Sequence, residues 1–166
     1  MTSRTILTKS VLAGGGIAGL LDILFAISFA AWNGMPPGRL LQTVASGILG
    51  NAAFSGGFAS ALLGLALHFA LSWLWAALFL AALWRTPRIA LRPVSCGIAF
   101  GCMVFLVMRL VVLPLSAFPR AVTFAPLATV LDLMSHTLLF GVPISVFVGA
   151  AWIRRSGDSA AASNHG

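Results

Sequence analysis

The sequence predicts an all-α membrane protein: a four-transmembrane-helix bundle with a short interfacial helix between the first and second spans. Three observations carry that prediction. Hydrophobic residues make up 60% of the 166 positions and charged residues only 8%, where a soluble domain carries roughly 25% charged residues. Four apolar stretches reach the ~20 residues that cross a bilayer. The basic residues sit in short clusters at the ends of those stretches, where they act as topology signals and anionic-lipid contacts.

The predicted spans cover about residues 11–32, 59–84, 94–113 and 127–152, within one domain of residues 1–155. The first stretch has Arg4 and Lys9 in front of it, like a secretory signal. Its apolar run exceeds the usual 7–15 residues of a signal peptide and contains Asp22, so it is expected to stay as a membrane helix. Between the first two spans, Met35-Pro36-Pro37-Gly38 stops the helix. Leu40, Leu41, Val44, Ala45, Ile48 and Leu49 then recur with helical period. That pattern predicts an amphipathic helix at about residues 39–50, lying on the outer surface or tucked over the mouth of the bundle, with a re-entrant segment as the lesser alternative. Residues 156–166 are small and polar and are expected to form a disordered tail.

Orientation follows from counting Lys and Arg between spans. Arg4, Lys9, Arg85, Arg88, Arg92, Arg154 and Arg155 fall on one side, and Arg39 and Arg120 on the other. The expectation is a bacterial inner (cytoplasmic) membrane protein with both termini in the cytoplasm. Trp32, Trp84 and Trp152 fall at predicted helix ends. The net charge of +7 is accounted for by these clusters, so nucleic acid is not an expected partner. The expected partners are the lipid bilayer and a second copy or membrane partner docking through Gly/Ala-rich faces.

Small residues mark helix contacts in lipid, because they let backbones approach closely. Gly15, Ala18, Gly19, Asp22 and Ala26 share one face of the first span, and Ala61, Gly64, His68 and Ser72 one face of the second. Gly97 and Gly101 in the third, and Ser145 and Gly149 in the fourth, have the same four-residue spacing. Asp22 and His68 lie on such stripes, which turns them inward.

Five ionisable residues fall inside spans: Asp22, His68, Arg109, Asp132 and His136. A charge at mid-bilayer costs at least ~2.5–3.5 kcal/mol, so these side chains should face inward. At about 1.5 Å rise per residue, Arg109 and Asp132 both lie roughly 6–8 Å below the outer helix ends and can pair. Asp22, His68 and His136 lie roughly 14–15 Å deep. The expected arrangement is therefore an outer ion pair above a central polar site. Asp132, Ser135 and His136 share a helix face by their i, i+3, i+4 spacing.

Two roles fit such a site. It could carry protons or a small solute, or it could hold helix register as polar packing in a structural or accessory subunit. His, His and Asp are also competent metal ligands, but no motif with fixed metal spacing occurs, and no cofactor is implied. Cys96 and Cys102, six apart in one apolar run, read as small hydrophobes. There is no GxSxG, HExxH or phosphate-binding loop, so no enzyme is expected. Trp75 shares a face with His68 and could line a cavity.

Gln42 to Gly50 (QTVASGILG), Ala53 to Gly57 (AFSGG), Ala61 to Phe69 (ALLGLALHF), Val111 to Pro119 (VVLPLSAFP) and His136 together resemble small bacterial inner-membrane proteins, including the YagU-like family. The resemblance covers roughly residues 15–152. It implies a four-helix inner-membrane protein and supplies no defined activity.

Overall fold

The computed structural model describes the backbone of residues 3–163 and the side chains of residues 5–157. Five helices in chain order build it: α1 (Ser3–Trp32), α2 (Pro37–Leu49), α3 (Gly57–Arg85), α4 (Pro93–Leu115) and α5 (Pro126–Gly157, continuing to Ser163). Among the described residues there is no strand. Helices α1, α3, α4 and α5 are each long and apolar enough to cross a membrane, and the chain is a multi-pass membrane protein of four-helix-bundle class. Leu20, Leu24, Leu62, Leu110 and Leu138 are exposed on its outside, where lipid rather than water is the solvent.

The ends of the helices follow from sequence chemistry. Gly34, at φ 77°, takes the left-handed position after Trp32. The Gly34 amide donates to the Ala31 carbonyl and the Met35 amide to the Ala30 carbonyl, the paired bonds of a Schellman stop. Proline at the first or second position opens α2, α4 and α5, where its missing N–H costs nothing.

Helix α2 covers the expected amphipathic segment. It packs along α3 so closely that a Cβ at Gly64 would overlap the Leu41 carbonyl. A 3₁₀ turn, Gly50–Phe54, then leads into α3. One expectation needs correction: the last helix runs on to Ser163, where disorder was expected from residue 156. Ala160, Ala161 and Ala162 are the strongest helix formers and extend a helix that is already nucleated. Residues 164–166 lie outside the described residues.

Two segments depart from α-helical winding. Met108–Val112 in α4 and Ser135–Gly141 in α5 are π-helical. Each ends two residues before a proline, Pro114 and Pro143. A proline inside a helix lacks the N–H for the carbonyl four residues back and crowds it. The helix responds by widening one turn: the Leu113 amide bonds to the Met108 carbonyl and the Val142 amide to the Thr137 carbonyl, each five residues back. Such widened turns recur at functional sites.

Packing divides the molecule into two halves. The half with the termini and the residue 86–92 connection is packed with apolar side chains. Leu7, Phe79, Leu83, Ile144, Val148 and Trp152 form its core. At its rim Trp84 stands edge-on to Trp152 at 4.9 Å between centroids, with the Arg155 guanidinium 4.2 Å from the Trp84 ring. The half carrying α2 holds the five ionisable residues of the spans, Asp22, His68, Arg109, Asp132 and His136, and the cavity they line.

Candidate functional site

Backbone close approach fixes the frame. A Cβ at Gly101 would overlap the His136 carbonyl, and one at Gly141 the Gly97 carbonyl, so α4 and α5 touch main chain to main chain. Helices α1 and α3 are joined by polar side chains as well. Ser72 Oγ donates to the Gly15 carbonyl at 2.5 Å, and Trp73 Nε1 to the Leu12 carbonyl at 3.2 Å. His68 Nε2 lies 2.9 Å from the Gly19 carbonyl. A carbonyl can only accept, so this nitrogen carries the proton.

The structure brings Arg109 and Asp132 together. Arg109 Nη2 lies 2.9 Å from Asp132 Oδ2, and Nε donates to the same oxygen at 3.1 Å. Arg109 Nη1 donates to the Thr123 carbonyl at 3.1 Å. Rings of Phe105 and Phe124 stand 5.7 and 5.5 Å from the guanidinium, in cation–π range. Asp132 Oδ1 in turn lies 3.0 Å from His136 Nδ1, which also faces the Asp132 carbonyl at 2.9 Å. The expected separation into an outer pair and a central group therefore dissolves. The i, i+4 spacing that puts Asp132 and His136 on one face also brings their side chains within bonding distance.

Asp22 is 8% exposed, and its Oδ1 accepts from Ser135 Oγ at 2.6 Å. It bonds to neither histidine ring. Ser135 was legible as a face-mate of Asp132 and His136, but nothing in its residue type marked it as the partner of Asp22. Ser135 is also buried.

These groups surround space. A cavity of about 450 Å³ is lined by Asp22, His68, Arg109, Asp132 and His136 on its polar side. Leu40, Val44 and Ile48 from α2, Leu67 and Leu71 from α3, and Met108, Val112 and Leu113 from α4 form its apolar walls. So Asp22, His68 and His136 share one cavity without touching. A second cavity of about 440 Å³ lies toward the α1–α2 turn, lined among others by Phe25, Phe29, Asn33 and Met35. Asp22, Arg109 and Asp132 line both, so these three stand between the two spaces. Trp75 lines neither; it packs edge-on to Phe100 at 6.2 Å. Among the described residues no three His, Cys, Asp or Glu side chains gather as a metal-binding set.

Charge counting shows what the arrangement can do. Two carboxylates and one guanidinium leave one negative charge when both imidazoles are neutral. One added proton or one bound cation brings the cavity wall to neutrality, the cheapest state for a site inside a bilayer. No family model, curated protein or solved structure matches the chain.

Proposed function

We propose that this is a small transport protein whose bundle holds a solute-sized cavity, with a carboxylate–imidazole pair that takes up and releases a proton. One observation carries the reading: the ~450 Å³ cavity whose polar side is made of Asp22, His68, Arg109, Asp132 and His136. Cavities of roughly 300–1,000 Å³ with a few convergent polar groups are what small-molecule sites look like, and ionisable groups within spans mark ion and solute pathways. His136 donates through Nδ1 to Asp132, so Nε2 is the nitrogen free to exchange a proton. The widened turns at Met108–Val112 and Ser135–Gly141 support the same reading, because both carry cavity residues.

The proposal is of a non-enzymatic protein in the bacterial cytoplasmic membrane with both termini inside, by the seven-to-two distribution of basic residues. The motif run from Gln42 to Pro119 supports a place beside the YagU-like proteins. The competing reading, an accessory subunit docking by Gly/Ala faces, is weakened by packing. Gly15, Gly19, Gly64, Gly97 and Gly101 already have neighbours within this chain where a Cβ would crowd.

Reconstitution tests it. In liposomes containing a pH-sensitive dye and held at an inward-negative potassium diffusion potential, the protein should accelerate proton entry above empty vesicles. His136→Gln should return the rate toward that of empty vesicles. A wild-type rate equal to that of empty vesicles contradicts the proposal.

A further inference from the structure

We infer that the cavity takes a protonated amine with an apolar body, recognised by Asp22. This rests on the cavity being a solute site, and it follows from which polar atoms are already occupied. Arg109 is neutralised by Asp132 at 2.9 Å, so the wall's one cation is not available to an anion. The Asp22 carboxylate makes no ion pair within bonding distance among the described residues: Oδ1 holds the Ser135 hydroxyl and Oδ2 has no hydrogen bond. The residue is 8% exposed and lines the cavity. A buried carboxylate with one empty oxygen and no bonded counter-charge calls for a cation.

The other free atoms agree. His68 spends its Nε2 proton on the Gly19 carbonyl, so neutral His68 presents Nδ1 as an acceptor. His136 spends its Nδ1 proton on Asp132, so neutral His136 presents Nε2 as an acceptor. Three residues with a free acceptor, from α1, α3 and α5, therefore line the same space, which suits an ammonium with several N–H donors. The remaining walls are mainly aliphatic side chains of α1, α2, α3 and α4, with Phe118 and only two hydroxyls, Thr43 and Ser116. They favour an apolar body and exclude a small hydrated ion.

Competition with protons follows from the same charge count. The ionisable groups facing the ligand are Asp22 from α1, His68 from α3, Arg109 from α4, and Asp132 and His136 from α5; α2 contributes none. One positive charge, proton or ammonium, neutralises the wall at a time. Lowering the pH fills the site with a proton and weakens the amine, by up to about tenfold per pH unit for one displaced proton.

The test uses purified full-length protein in detergent and isothermal titration with three probes of one shape: naphthylmethylammonium, naphthylmethanol and naphthylacetate, each corrected for empty micelles. The ammonium should bind about tenfold or more tighter than the other two, and more weakly at pH 5.5 than at pH 8. Asp22→Asn should abolish that preference while its helical circular dichroism and elution volume stay unchanged. If Asp22→Asn does not fold, the comparison among probes on the unaltered protein decides. Equal binding of the alcohol, or tighter binding of the carboxylate, overturns the amine while leaving a solute cavity. No binding by any probe with proton flux intact likewise overturns the amine alone; loss of both flux and binding overturns the cavity as a transport site.

Discussion

His136 Nδ1 sits 3.0 Å from Oδ1 and 2.9 Å from the backbone carbonyl of Asp132, so one imidazole N–H is held by two acceptors of the same residue. The ring is thereby fixed in orientation and tautomer. Asp132 is itself held by Arg109, which reaches across from α4. Arg109, Asp132 and His136 thus form one chain of bonded side chains joining α4 to the cavity face of α5.

That chain predicts strong coupling between Arg109 and Asp132. Arg109→Ala leaves a partly buried carboxylate with only the His136 imidazole as partner, and Asp132→Ala leaves a guanidinium without its carboxylate. The double substitution removes both charges. In thermal unfolding of the detergent-solubilised protein, each single change should cost more than half of the double change. The coupling energy should be about 1–3 kcal/mol. Additive losses would mean that the pair contributes nothing.

The widened turns make a separate prediction. Pro143→Ala restores an N–H where the helix now lacks one and replaces the poorest helix former with the best, a difference of up to ~3 kcal/mol in a helix interior. The protein should stay folded with an unchanged or raised Tm. Rewinding Ser135–Gly141 toward an α-helix turns His136 relative to the rest of α5, so proton flux in liposomes should fall. Full flux in Pro143→Ala would show that the widened turn does not position the histidine.

Close helix approach can be tested at glycines with opposite surroundings. A Cβ at Gly101 meets the His136 carbonyl, whereas one at Gly38 meets nothing within 4 Å. Gly101→Ala should cost about 1–3 kcal/mol by overpacking, read as a lower Tm. Gly38→Ala should be neutral or slightly stabilising. Equal effects would contradict the α4–α5 backbone contact.

Much of this architecture is legible in the sequence because lipid imposes it. Span length, the prolines at helix starts and the inward turn of charged residues each follow from the cost of polar groups in hydrocarbon. Depth counting placed Arg109 level with Asp132, since rise per residue is nearly constant. The partner of Asp22 was not legible. Ser135 is one of many serines, and which helix faces meet is decided by packing across 113 residues of chain. The widened turns were half legible: Pro114 and Pro143 announce a break, but whether a helix kinks or widens depends on its neighbours. The same packing sent Trp75 to Phe100 rather than to the cavity.

Orientation is checked by chemistry at the two ends. Arg88 and Arg120 are both exposed and lie at opposite ends of the bundle. In a background lacking Cys96 and Cys102, a cysteine replacing Arg120 should react with a membrane-impermeant thiol reagent in intact cells. One replacing Arg88 should react only after lysis. The reverse pattern would invert the topology.

The central claim is that Asp22, His68 and His136 border open, wetted space rather than dry packing, and water-borne thiol chemistry tests it most directly. Met108 lines the cavity, while Leu110, two residues on, is 57% exposed on the outside of α4 and does not line it. In the cysteine-free protein reconstituted in liposomes, a small methanethiosulfonate reagent, which reacts with thiolate in water, should modify Met108→Cys and leave Leu110→Cys unmodified. Modification of neither, or of Leu110→Cys alone, would contradict the account.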